Sequence, residues 1–284
     1  MVIFKKIAPL REWIIIQKNE GKIIGFTPTM GALHKGHLSL AETSQKECDI
    51  SIVSIFVNPK QFNDPNDLLK YPRPLEDDIE LLALQDVEGL FIPEVDEIYP
   101  PGEKTKLDFD PGPIAEVLEG KFRPGHFDGV AEVMARLLSI VDPDRLYMGQ
   151  KDFQQFAIVR KLITDLHLPA HLIMCPIYRE ENGLAMSSRN VRLSLQARKD
   201  AGLIYDTLFK AKIAFEEGDP ISQIKARSMT SLTRKDFVPE YFEIVDGLNF
   251  EILNDNHESQ FVVVCCAVNV EGVRLIDNMI WTED

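Results

Sequence analysis

The sequence is short of several things, and each shortage removes a class of protein. No apolar run in its 284 residues approaches the roughly 18 that a membrane-spanning helix needs. Positive charge is scarce: 31 Lys and Arg face 45 Asp and Glu, a net charge of -14. Polyanions would be repelled over most of such a surface, which opposes general binding of nucleic acid or anionic membrane; a local basic pocket for a small anion stays compatible. The four cysteines, Cys48, Cys175, Cys265 and Cys266, sit in apolar stretches and form no CxxC pair. They read as reduced core thiols of a cytosolic protein. No Cys/His cluster has zinc spacing, no GxSxG elbow or other activated nucleophile is evident, and there is no internal repeat or low-complexity tract. The opening MVIFKKIAPLREW has no secretory apolar region or cleavage site, so a soluble cytoplasmic protein is expected.

What is present is ordinary globular composition, 45% hydrophobic and 27% charged with 17 Pro and 16 Gly. That length buries a sizeable core as one large or two modest domains. Short apolar runs at 22–29, 49–57, 89–92, 145–148 and 171–178 predict strands, the first two stopped by Pro28 and Pro59. Helical periods fall between them at 36–48, 75–86, 127–141 and 152–167. This alternation predicts a parallel sheet with helices on both faces. After Arg189 the pattern changes to consecutive helices at 194–217 and 221–234, then strands at 240–245, 261–270 and 273–280. Helices followed by strands predict a small α+β unit with an antiparallel sheet. The expected fold class is α/β, with residues 1–175 forming the parallel-sheet unit and residues 176–284 the smaller one. Ligands of open parallel sheets bind beyond the carboxyl ends of the strands, so the chemistry is sought in the loops that leave them.

The first such loop reads Thr27-Pro28-Thr29-Met30-Gly31-Ala32-Leu33-His34-Lys35-Gly36-His37. Its glycine spacing imitates a P-loop, but His37 and Leu38 stand where Lys and Ser/Thr are required, so that reading fails. What remains is His-x-Gly-His at a strand-to-helix turn. A helix N-terminus offers free N–H groups and partial positive charge to phosphate, Gly36 allows close approach, and two imidazoles can donate to phosphate oxygens as charge builds. A lone histidine is more often a packing residue; two flanking a glycine at such a turn favour function.

HxGH is the signature of the nucleotidyltransferase superfamily, and the string PTMGALHKGH resembles the pantothenate synthetase (pantoate–β-alanine ligase) family specifically. Four further stretches follow its pattern. In SIFVNPKQF, Asn58 and Gln61 are neutral amides where a ligand would sit, although Asn-Pro is also a common turn starter. Downstream, Tyr71-Pro72-Arg73 matches too, and Glu76-Asp77-Asp78 reads equally as a magnesium aid or as a helix start rich in acids. In Gly149-Gln150-Lys151-Asp152, Lys151 brings a mobile cation, and Asp152 reads as a helix cap boxed with Gln155. Gln150 stands where many members carry Glu. In Met186-Ser187-Ser188-Arg189, two hydroxyls and a guanidinium form a clamp for a triphosphate. Tyr178, upstream, replaces a side chain that is usually smaller. In RPGHF, Arg123 is a candidate for the substrate or the phosphate side and His126 reads as structural.

The resemblance implies a Rossmann-like first domain, a smaller second domain acting as a lid, and a homodimer. It implies ATP with Mg²⁺, pantoate and β-alanine as ligands, joined through an acyl adenylate; the charge already argues for no nucleic acid or membrane partner. His34, His37 and Lys151 would be catalytic. Residues Met30, Gly31, Ala32, Leu33, His34, Lys35, Gly36 and His37 would hold ATP, with Gly149, Gln150, Lys151 and Asp152. Tyr178, Met186, Ser187, Ser188 and Arg189 would complete that set. Asn58, Gln61 and Gln155 would hold pantoate, and Gln61 also β-alanine. The metal ligands stay unassigned. The alternative is a cytidylyl- or adenylyl-type nucleotidylyltransferase, which would share HxGH but not need the paired glutamines. A silent nucleotide sensor or RNA-binding relative is opposed by the charge and by the intact histidines and lysine.

Overall fold

Nine of the chain's apolar runs assemble into two sheets within the described residues, 1–102 and 107–282 of the computed structural model. The first sheet is parallel throughout. It comprises β1 (Val2–Phe4), β2 (Ile24–Thr29), β3 (Ile50–Ile55), β4 (Gly89–Phe91), β5 (Arg145–Gly149) and β6 (His171–Cys175), in the spatial order β1-β4-β3-β2-β5-β6. Strands β2 and β3 are buried almost throughout, as β-branched central strands covered on both faces must be. Helices α1 (Ile7–Asn19), α2 (Lys35–Glu47), α3 (Pro65–Lys70), α4 (Leu75–Leu84), α5 (Val95–Ile98), α6 (Glu119–Phe122), α7 (His126–Val141) and α8 (Phe153–Asp165) connect or cover them. The edge strand β1, with α1 behind it, precedes the first strand that the sequence pattern marks.

The chain lays down β2, β3 and β4 in one direction, then places β5 on the other side of β2. This reversal is a topological switch point, where the loops after adjacent strands diverge and leave a crevice. Pairing of β2 with β5 ends at Phe26–Leu146, two residues before Pro28, which has no N–H to extend it. The two strands therefore splay at their carboxyl ends, which carry the loops singled out above.

The second sheet is antiparallel, β7 (Phe237–Asp246), β8 (Val262–Val270) and β9 (Val273–Thr282) in sequential order. The expected long helix at 194–217 is broken at Ala201–Gly202 into α9 (Leu195–Asp200) and α10 (Leu203–Glu216); α11 (Ile221–Leu232) follows. Alternation along β8 serves two cores. Val263, Cys265 and Ala267 pack into the core of the first sheet, while Val264, Cys266 and Val268 pack with Ile204, Leu208 and Ile224 of α10 and α11. The two sheets thus share β8 as a common wall. Residues 283–284 of the second expected unit lie outside the described ones. Among the described residues no helix is long and apolar enough to cross a membrane.

Candidate active site

A cavity of about 190 Å³ opens at the switch point, between the ends of β2 and β5 and beneath the loop at 186–189. The turn after β2 is braced by its own histidines. His34 Nδ1 accepts from the Gly36 N–H at 3.1 Å, and His37 Nδ1 accepts from the His34 N–H at 3.3 Å. The rings lie 4.0 Å apart. Gly36 is needed for the brace: a Cβ there would lie 2.9 Å from the His34 ring. Because each Nδ1 accepts, the proton of each neutral imidazole sits on Nε2, which is left as a donor. Both rings are neutral near pH 7. Burial, then the nearby Lys151 charge, pushes His34 down to about 4; burial, then His34 and Lys151, pushes His37 well below its usual value.

Upstream, the chain passes through left-handed conformations at Gly31 and Ala32, with φ of 77° and 50°. Its amides are taken within the protein. Gly31 donates to Thr29 Oγ1 at 3.1 Å, and Ala32 and Leu33 donate to the two carboxylate oxygens of Asp78 at 2.8 and 2.7 Å. Burial pushes Asp78 above the usual carboxylate range despite those two bonds. Asp78 therefore holds the turn, Glu76 and Asp77 are exposed in the first turn of α4, and none of the three lines the cavity. This corrects the magnesium alternative for the acidic cluster.

Gln61 is fixed from both ends. Asn58 donates from Nδ2 to Gln61 Oε1 at 3.1 Å and to the Gly129 carbonyl at 3.0 Å, and its Oδ1 accepts from Tyr99 and from the Lys60 N–H. Every hydrogen-bonding position of that buried amide is used, so Asn58 orients Gln61 and has nothing left to offer a ligand. The Gln61 carbonyl is held by His126 Nδ1 at 2.8 Å, while Arg123 donates to His126 Nε2 at 3.1 Å. Since a guanidinium only donates, the His126 proton is on Nδ1 and the ring is neutral. Burial, then Arg123, pushes it to about 4. The structural reading of His126 holds, and Arg123 lies outside the cavity wall, behind Gln61. The close fit of α7 depends on Gly129, where a Cβ would lie 2.3 Å from the Lys60 carbonyl oxygen.

The turn after β5 differs. Asp152 makes no capping bond, so the expected box with Gln155 does not form. Lys151 Nζ lies 3.6 Å from Asp152 Oδ2, and at Gly149 the space a Cβ would fill is open. In the third loop, Ser187 Oγ accepts from the Arg189 N–H at 3.3 Å, and Ser188 Oγ lies 3.3 Å from the Tyr71 hydroxyl. Asn190 Nδ2 anchors the loop on Glu180 and the Ala185 carbonyl. Arg189 donates to Asp67 Oδ2 at 2.8 Å.

The cavity wall thus brings together His34, Gly36 and His37 with Met30, Asn58 and Gln61. It adds Gly149, Lys151, Asp152 and Gln155, then Tyr178, Met186, Ser187, Ser188 and Arg189. Gly31, Ala32, Leu33, Lys35 and Gln150 are not in it. Lys35 is exposed, and Gln150 donates to Asn278 at 3.1 Å. Val130, Val133, Met134 and Leu137 of α7 add an apolar wall that residue typing missed. Their i, i+3, i+4, i+7 spacing is visible in the sequence, but it is also the spacing of any core stripe.

Comparisons with known proteins find relatives along the whole chain. A family model described as pantoate-beta-alanine ligase matches residues 2–280. A pantothenate synthetase of Porphyromonas gingivalis is 44% identical over 281 residues, covering 98% of this chain and 99% of the relative. One from Caldicellulosiruptor bescii is 44% identical over 282 residues, 99% of each chain. The crystal structure of pantothenate synthetase from Thermus thermophilus superposes with a TM-score of 0.92 at 38% identity over 100% of both chains. That of pantoate-beta-alanine ligase from Francisella tularensis, complexed with beta-gamma ATP and beta-alanine, gives 0.80 at 36% identity, covering 99% and 98%.

Proposed function

The chain belongs to the pantoate–β-alanine ligase family and forms the C–N bond of pantothenate from pantoate and β-alanine with ATP, and we propose that its residues divide the work as follows. A carboxylate is a poor acyl donor because oxide would have to leave. A pantoate carboxylate oxygen therefore attacks the α-phosphorus of ATP, the bond to diphosphate breaks, and pantoyl adenylate forms. The β-alanine amine then attacks the acyl carbon, AMP leaves, and the new amide sheds a proton. No protein nucleophile is required; the protein's contribution is positioning and charge stabilisation.

The Nε2–H groups of His34 and His37 donate to the phosphate oxygens on which charge grows, and Lys151, Ser187, Ser188 and Arg189 hold the rest of the triphosphate. Met30, Gly36 and Gly149 give the nucleotide backbone to lie against, Tyr178 and Met186 flank it, and Gly31, Ala32, Leu33, Lys35 and Gln150 frame the turns. Mg²⁺ enters on ATP as part of the substrate. Asp152 is the only carboxylate of the cavity wall among the described residues and would be the side chain to help hold the ion, whose role would be to neutralise phosphate charge. Gln61 and Gln155 take pantoate, Asn58 acting through Gln61, and the α7 stripe suits the dimethyl carbon of that substrate. β-Alanine sits beside Gln61. We take residues 176–284 as the closing unit over residues 1–175, and a cytoplasmic homodimer as the working form.

The observation that carries this reading is the mutual histidine brace, which leaves two neutral donors in the wall of a crevice that also holds Lys151. The test is diphosphate–ATP exchange. Exchange is expected with pantoate and ATP alone, and sustained AMP release only once β-alanine is added. Exchange that needs β-alanine, or none at all with pantoate, overturns the adenylate route.

A further inference from the structure

The turn that carries Lys151 is held by a residue far along the chain. Asn278 of β9, almost fully buried, donates from Nδ2 to the carbonyl oxygens of Gln150 and Lys151, both at 2.9 Å, and accepts from Gln150 Nε2 at 3.1 Å. Its neighbour Asp277, equally buried, receives Arg179 in a two-point pair at 2.6 and 3.0 Å and accepts the Asn278 N–H at 2.8 Å. Arg179 pairs across its own short turn with Ala185, the residue before Met186, and donates to the Gly183 carbonyl at 3.0 Å. One dipeptide of the second sheet therefore grips both cationic loops of the site.

We propose that Asp277 and Asn278 are positioning residues for the adenylation step, setting the separation between Lys151 and the loop Ser187–Arg189 so that both reach one triphosphate. The chemistry selects these two types. Two carbonyl oxygens on successive residues converge on one group, which must supply two N–H donors, and an amide does so where a carboxylate of the same size supplies none. The partly buried guanidinium of Arg179 meets a two-oxygen acceptor in the buried Asp277, which receives it in fork geometry. Neither loop can shift alone without stranding a buried polar group. A lysine on a flexible stem gains most from such a fixed base, because small misplacements at a reacting centre are costly.

The inference rests on the reading that Lys151 contacts phosphate, and the test separates the two. Pantoate-dependent diphosphate–ATP exchange is measured for Lys151→Ala, Asn278→Ala and the double variant of the full chain. Asn278→Ala is expected to lower kcat about 10- to 100-fold with the KM for pantoate unchanged and far-UV circular dichroism retained. Once Lys151 is absent, the added change at Asn278 is expected to cost less than about 3-fold. The isosteric Asn278→Asp should lose at least as much as Asn278→Ala. Equal losses in both backgrounds, or an unchanged kcat in Asn278→Ala and Asn278→Asp, overturn the proposal. If those variants do not fold, Arg179→Lys is read instead, which keeps the charge but loses the two-point pair with Asp277, and an unchanged kcat there overturns it. Full exchange by Lys151→Ala alone shows that the phosphate reading itself has failed, and the inference with it.

Discussion

Two strand-to-helix turns meet at the switch point, and they are held in opposite ways. Both leave neighbouring strands, both carry a glycine, and both open a helix. The first is braced from within, His34 and His37 each using Nδ1 to cap the turn. The second is braced from without, by an amide 127 residues beyond Lys151. The difference follows from the functional groups. An imidazole has two nitrogens at fixed angles, so one can hold the backbone while the other faces a ligand. A lysine has one ammonium at the end of a flexible stem, and cannot do both. A turn that presents lysine must therefore borrow its rigidity.

The sharpest way to break this comparison is to separate the two nitrogens of His37. In His37→Asn the side-chain oxygen falls near Nδ1 and keeps the brace, but nothing replaces Nε2–H. Exchange is expected to fall about 10²- to 10³-fold, the loss typical of one transition-state donor, with the thermal midpoint close to that of the parent. In His37→Gln the amide reaches the Nε2 position but abandons the brace. More of the rate should survive, at a stability cost of about 1 kcal/mol, the scale of a helix cap. The reverse order, with His37→Gln the slower and the more stable, would mean that the ring faces are misassigned.

The internally braced turn also titrates, and here the second turn, which has no histidine, is the control. In the folded chain His34 sits at about 4, whereas unfolded histidine titrates near 6.5. Between those values the unfolded chain binds more protons, so stability rises with pH across the window, is fully present above it, and is lost as pH falls. His37 and His126, also lowered, act in the same direction. Each group contributes a slope of at most about 1.4 kcal/mol per pH unit. His34→Asn, which keeps an acceptor for the Gly36 N–H, should flatten the pH dependence of the melting midpoint between pH 5 and 6.5. A variant that tracks the parent over that range would show that His34 is not held neutral by the fold.

How much of this was legible in the sequence depends on how far apart the partners are. Strands β2, β3 and β5, helices α2, α7 and α8 and the two sheets could be read because β-branched runs, helical periods and their Gly/Pro stops are local signals. The turn residues could be typed for the same reason. Asp78 could not be separated from an ordinary first-turn acid, since a carboxylate looks the same whether it faces water or two amides 45 and 46 residues away. Asn58 reads as a free amide until its four partners are seen. Asp277 and Asn278 lie in an apolar strand whose pattern marks only sheet. The cap assigned to Asp152 was a local pattern that the folded turn does not form.

The smallest expected effect concerns the third loop. Asp67, on the short helix α3, holds Arg189 at 2.8 Å and Arg192 at 3.4 Å. Burial pushes the Asp67 carboxyl up, but the hydrogen bond and charge of Arg189 outweigh it and hold the group below its usual range. The pair is partly exposed, so its net contribution to stability is below about 1 kcal/mol. On the proposed reading Arg189 leaves or shares this carboxylate to meet a triphosphate, so Asp67 would compete with ATP for the same guanidinium. Asp67→Asn keeps the shape and removes the competing charge; the KM for ATP should fall about 2- to 5-fold with kcat little changed, the scale of one exposed ion pair. A KM that rises instead would mean that Asp67 holds Arg189 in its working position. The third loop would then resemble the second turn, its cation braced by a carboxylate from elsewhere in the chain, and the self-braced histidine turn would be the exception among the three.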